Sequence, residues 1–203
     1  MHNALITISI PDDNRSERGY VIDVVFSCML GLPYALLPGR DSSGYRICFD
    51  GAELFIRDCF FGRFPAPLSY LSRDAIPANV AYLKNPFMAE PDLPVIYGSD
   101  ELVCEDKKVI CGIDLFGSVF FMLTRWEEIV HQLRHSHDRF PGRESLAFRR
   151  GFLNRPVVNE YVEMLWNMMV RLGYRGERKS RTFALVLTHD VAHLDYPSTG
   201  RIL

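Results

Sequence analysis

The stretch LITISIPDDNRSERGYVIDVVFSCMLGLPYALL, residues 5–37, decides the fold. Leu5 to Ile10 alternate and are rich in β-branched side chains, as a pleated strand requires, and Pro11-Asp12-Asp13 closes that strand. Ser16 is placed to cap a helix in which Val21, Val24, Val25, Cys28 and Met29 keep a helical beat. Gly31 stops the helix, and Tyr34 to Leu37 form a short second strand before Pro38-Gly39. Strand, helix and strand within roughly 35 residues make a βαβ-like opening, which predicts an α/β fold. Next outward, Tyr45–Phe49 and Glu53–Ile56 flank Asp50-Gly51, a pair that tolerates positive φ and so predicts a hairpin. The expected architecture is therefore a mixed sheet with flanking helices.

Six of the twelve prolines fall in residues 60–94, which predicts an irregular connection there, followed by a strand at Leu93–Tyr97. The second half is helical in pattern. Asp114 can cap a helix in which Phe116, Val119, Phe120, Leu123, Trp126, Ile129 and Val130 recur at three and four. A polar loop rich in His and Arg follows from His131 to Arg155. Pro156 then opens a second helix, apolar almost all round, that runs to Leu172 with Gly173 as its stop. Arg175 to Arg181 reads as a charged linker.

Bulk composition excludes several classes. The chain has 203 residues, 48% hydrophobic and 24% charged, with a net charge of −2, the profile of an ordinary globular protein. With a pI near 6.3 it carries no footprint for binding a polyanion, so no nucleic-acid partner is expected. No run approaches about 18 uninterrupted apolar residues, so no membrane span is expected. The N-terminus lacks the basic region and apolar length of a signal peptide, which makes the cytoplasm the default location. Five cysteines, at 28, 48, 59, 104 and 111, form no CxxC and no even framework, and read mostly as small buried hydrophobes.

Among candidate sites, His131, His135 and His137 have a spacing that can chelate a metal, but Arg134 and Arg139 beside them repel a cation. A solvated helix end is the favoured reading. Arg125-Trp126-Glu127-Glu128 is either a binding patch beside an aromatic or, as favoured, a core Trp126 with surface ion pairs. No phosphate loop and no GxSxG elbow is present, and Ser118 has no evident base partner.

The richest chemistry is at residues 183–193, Phe-Ala-Leu-Val-Leu-Thr-His-Asp-Val-Ala-His. An apolar, β-branched run leading into His189, Asp190 and His193 reads as a buried strand that delivers polar groups to its carboxyl end. Asp190 is suited to take a proton from water as a general base, and His193 or His189 can supply one or two metal ligands. The alternative is a strand-to-loop transition with Asp190 capping the next turn.

Thr188-His189-Asp190-Val191-Ala192-His193 resembles the first motif of the NodB-type polysaccharide deacetylases, in the variant T-H-D-V-D-H. In that family the first aspartate is the catalytic base and the second a metal ligand, while two metal histidines come from a later motif. The resemblance assigns the base to Asp190 and puts Ala192 at the metal-ligand position. Gly112–Ser118 running into Phe121–Glu128, Asp138–Pro141, Glu144–Ala147 and Gly151–Leu153 are similar to the N-terminal module of bacterial polysaccharide-deacetylase-like proteins, a domain of unknown function.

The resemblance implies an accessory α/β module over residues 1–180. Residues 181–203 would begin a truncated NodB-type (β/α) barrel, contributing its first strand. It also implies a role in cell-envelope or exopolysaccharide metabolism. The full-length protein would hydrolyse N-acyl groups of a glycan with a metal-activated water, whereas this chain alone would be inactive. The implied cofactor is a divalent metal, zinc, held by the full-length parent with none bound firmly here. The implied partner is a glycan or the remainder of the barrel. A glycan- or protein-binding scaffold without catalysis, and a small enzyme built on His131 to His137, are the other readings.

Overall fold

The computed structural model describes residues 5–39, 43–88, 92–180 and 182–189. Its centre is a six-stranded mixed sheet of β1 (Ile6–Ile10), β2 (Tyr34–Pro38), β3 (Gly44–Phe49), β4 (Ala52–Arg57), β7 (Gly98–Cys104) and β8 (Lys108–Ile113), in the order β2-β1-β3-β4-β8-β7. A two-stranded ribbon of β5 (Ala81–Leu83) and β6 (Leu93–Val95) stands apart from it. Helices α1 (Arg15–Asp23), α2 (Leu115–Thr124), α3 (Glu127–Val130), α4 (Leu146–Arg149) and α5 (Val157–Arg171) complete the order. The expected α/β class and mixed sheet are present. The sheet is open, with β2 and β7 as its edges and no barrel closure among the described residues.

Register explains which face is covered. Ile8 pairs with Ile47, Ile47 with Leu54 and Leu54 with Val109, so one face carries an unbroken apolar row across four strands. All four side chains are buried. Helices cover that face, with Tyr45 of β3 packing on Phe116 of α2 at 4.6 Å between ring centroids. The opposite face is polar. Glu53 is paired with Arg46 and, at 3.2 Å, with Lys108, while Arg57 forks onto Glu101 at 2.8 and 2.9 Å. Phe55 lies between the Arg46 and Arg57 guanidinium groups on this face. One layer of helices on one side of a sheet is thus the basic plan.

Several local expectations are corrected. The first helix starts after Asn14, not at a Ser16 cap, and from Val24 to Leu30 it widens into a π-helix that ends at Gly31. The helical beat is lost there, and Cys28 faces solvent. Cys59 and Cys104 are also exposed, and only Cys111 is buried, so the cysteines are not mainly core residues. The helix expected from Asp114 to Val130 breaks at Arg125, which is left-handed at φ 51°, and restarts as α3. After the break Trp126 packs against Phe60 and Phe121. The predicted strand at Leu93–Tyr97 is the shorter β6, paired with β5. Helix α5 begins after Pro156 as expected and contacts α2, the π-helix and β6.

Candidate functional site

Strands β1, β2, β4 and β8 run in one direction, because β1 is parallel to β2, antiparallel to β3 and so co-directional with β4, which is parallel to β8. Three of their carboxyl ends carry an aspartate: Asp13 after β1, Asp58 after β4 and Asp114 after β8. This is the edge at which α/β sheets place polar chemistry. Arg18, from the first turns of α1, reaches into this edge with no exposed surface. One terminal nitrogen of Arg18 donates to Asp13 Oδ1 at 2.5 Å and to Asp58 Oδ2 at 2.6 Å. The other donates to the Tyr45 hydroxyl at 2.6 Å, and Nε donates to the Asp13 carbonyl at 2.8 Å. The guanidinium also lies over the Tyr45 and Phe61 rings, at 5.1 and 4.9 Å. Burial alone would lower the Arg18 pKa, but Tyr45, Asp58 and Asp13 together hold it above its ordinary value.

Asp114 is fully buried and caps α2. Its Oδ1 accepts from the Gly117 amide at 2.8 Å, and its Oδ2 accepts from the amides of Cys59 and Phe60 at 2.8 and 2.9 Å. Burial, and then the charge of Asp58, push its pKa up to about 7 against the pull of those three amides. Burial and the neighbouring Asp114 also place the Tyr45 hydroxyl well above the usual phenol range. The Cys59 thiol, partly desolvated although its residue reaches the surface, is pushed up to about 11 by that desolvation and then by Asp114 and Asp58. The cluster holds a fixed positive charge between acids and ties four separate segments together. A cavity of about 370 Å³ lies outside it, bordered by Cys59, Arg63, Asp74 and Tyr97.

Trp126 is 2% exposed, within a cluster of Phe60, Tyr70 and Phe121. Arg125 pairs with Glu128, and the buried Glu127 accepts from the Leu146 amide at 2.9 Å. The core reading of Trp126 therefore holds. Burial, then Arg149 and Arg73, lower the His131 pKa, and its ring lies beside Phe140. His135 and His137 are exposed neighbours. Among the described residues no three His, Cys, Asp or Glu side chains come together as a metal-binding group.

Residues 6–174 match a family described as a family of unknown function, DUF7033. The chain belongs to this family. The match spans the DUF7033 domain from β1 to Tyr174, the last buried residue before the polar segment that follows α5. No curated protein and no solved structure matches the chain.

The motif singled out in the sequence lies beyond the DUF7033 domain. Asp190 and His193 are outside the described residues. Residues 182–189 are described, and here the structure corrects the expectation of a buried strand. Phe183, Leu185, Val186 and Leu187 are 93%, 72%, 79% and 77% exposed, and the segment pairs with no strand. The physical reason is the lack of a partner: a strand needs ladder bonds and a covered face, and nothing described adjoins this segment. Sequence reading applied the strand-end argument to Asp190 and missed Asp13, Arg18 and Asp58. The signal was available, since Asp58 directly follows one strand and Asp13 comes within three residues of the end of another. No helix among the described residues is long and apolar enough to cross a membrane.

Proposed function

We propose that the DUF7033 domain is the non-catalytic accessory module of a polysaccharide deacetylase-like protein of cell-envelope or exopolysaccharide metabolism. The full-length protein would hydrolyse N-acyl groups of a glycan with a metal-activated water. The observation that carries this reading is the segment after the domain. Four large apolar side chains between Phe183 and Leu187 stand in water beside a folded domain whose own core closes at Tyr174. They lead directly into the T-H-D-V-A-H sequence at 188–193. A strand-forming run of this kind is stable only when another layer covers it, as a following barrel would.

In that reading Asp190 is the base. The metal set is a different matter. Ala192 has no side-chain donor, and His189 and His193 fall short of the three-ligand set that a catalytic zinc needs, so further ligands would have to come from outside residues 188–193.

The test is to read the coding region beyond codon 203 and assay its product for acetate release from an N-acetylated oligosaccharide. A later H-x-x-x-H motif, with release abolished by Asp190→Asn, is the expected outcome. Release that survives Asp190→Asn, or a reading frame with no such motif, overturns it. A second reading, a glycan-binding scaffold without associated catalysis, is favoured by a polar-rimmed cavity beside α5.

A further inference from the structure

A cavity of about 460 Å³ opens between the end of the π-helix, the outer face of α5 and the segment at 178–180. Its size is within the range of small-molecule sites, about 300–1,000 Å³. The strap formed by 178–180 is held on both sides. The Lys179 amide donates to the Leu30 carbonyl at 2.7 Å and Lys179 Nζ reaches the Cys28 carbonyl at 3.5 Å. On the other side Arg178 pairs with Glu163 at 2.5 Å and lies over the Trp166 ring. Gly31 permits this closure. It is left-handed at φ 69°, and a Cβ there would stand 2.8 Å from the Lys179 Cβ.

The strap contributes no buried side chain, so core burial does not account for its fixed course. The wide turn of the π-helix beside it is of a kind that recurs at functional sites. The lining has a definite chemistry. Leu30 and Val162 are buried and Met29 is half-buried, which gives an apolar floor. The Asn159 amide and the Ser180 hydroxyl stand at the rim without a hydrogen-bond partner among the described residues. Glu163 and Arg178 pair with each other, and Lys179, the one further charge of the lining, turns its amine to the Cys28 carbonyl, so the polar groups left without a partner at the rim, Asn159 and Ser180, are uncharged.

We propose that this cavity binds a neutral oligosaccharide of N-acylated hexosamine. A pyranose ring presents hydroxyls at its edge and C–H groups on its faces, which suits a polar rim over an apolar floor. An N-acyl group adds a methyl for the floor and an amide that can both donate to and accept from Asn159. The proposal rests on the glycan link of the preceding reading and names the site and ligand class within it.

The test is an NMR titration of the chain with chitotetraose, with cellotetraose as the sugar lacking N-acyl groups. Chitotetraose is expected to shift the amides of Leu30, Asn159, Glu163 and Lys179. Asn159→Ala should weaken binding about fivefold or more, the worth of one hydrogen bond. Asn159→Trp, which fills the cavity from an exposed position, should abolish binding with the melting temperature unchanged. Absence of shifts, shifts confined to another surface, or full affinity in Asn159→Trp overturns the proposal. Equal binding of cellotetraose overturns the N-acyl assignment. Acetate release by the longer protein is a separate readout, so a failed titration leaves the deacetylase reading standing, and the reverse also holds.

Discussion

Arg18 and Asp58 meet at 2.6 Å with neither side chain exposed to solvent. The contact joins the start of α1 to the end of β4, and Asp13 completes it at 2.5 Å. Desolvation of this cation is offset only because acids and a phenol surround it.

Arg18→Met should destabilise the domain by about 3–5 kcal/mol, because it leaves Asp58 buried without its counter-charge. Adding Asp58→Asn to that variant should recover part of the loss, and the double-mutant cycle gives the coupling. Urea unfolding followed by circular dichroism measures both. A single-variant loss under about 1 kcal/mol would show that the pair is incidental.

Stability should fall as pH rises from about 4 to about 7 through the Asp114 contribution. Its folded pKa is about 7, whereas the unfolded carboxyl titrates near 3.9. The folded state therefore holds a proton that the unfolded state has released, and that advantage is lost as pH passes the folded value. The slope is at most about 1.4 kcal/mol per pH unit for one group. Glu127, raised by burial, works in the same sense, and His131, lowered by burial, in the opposite one. Subtracting the Asp114→Asn curve from the parent curve isolates Asp114. A difference curve that is flat between pH 4 and 7 would refute the assignment.

Trp126→Ala should cost about 3–5 kcal/mol, as large-to-small changes in aromatic cores do. Trp126→Phe should cost much less, because the indole N–H is buried without a protein acceptor among the described residues and no hydrogen bond is lost. The two tryptophans are also distinguishable by quenching. Acrylamide should reach Trp166, which is half-buried under Arg178, and spare Trp126. Equal quenching in Trp126→Phe and Trp166→Phe would contradict this packing.

Ending the chain after Ser180 should leave the stability of the DUF7033 domain within about 0.5 kcal/mol, since the exposed run from Phe183 to Leu187 makes no packing contribution. Dye binding and self-association should decline, because a contiguous apolar segment is removed from water. A loss of 2 kcal/mol or more would reveal a contact between this segment and the domain.

The strands were legible because their signals are local. Alternation in Ile6–Ile10 and the Asp50-Gly51 turn specify β1, β3 and β4 with little help from the rest of the chain. Asp114 as a helix cap and Pro156 as a helix start were legible for the same reason. What escaped was set by distant partners. Trp126 was legible as a core residue, but the left-handed break at Arg125 was not, because the apolar periodicity runs unbroken through it. Burial of Arg18 depends on acids 5 and 40 residues away, so a charged residue near a helix start gave no warning. The widening at Val24–Leu30 has no composition signal, since its residues suit an ordinary helix. The strand-like run at Phe183–Leu187 has the right residues, but its neighbour decides whether it pairs.

The three amides on Asp114 also have a consequence in time. The backbone N–H groups of Cys59 and Phe60 are made first, and their acceptor emerges from the ribosome about 55 residues later. At common synthesis rates that is a delay of roughly 3 to 11 s. Throughout that interval the turn after β4 lacks its buried acceptor, and β4 lacks its parallel neighbour β8. The nascent domain is therefore committed to a late, all-at-once closure of its edge, and this window is where chaperone capture or aggregation of the half-made sheet would begin.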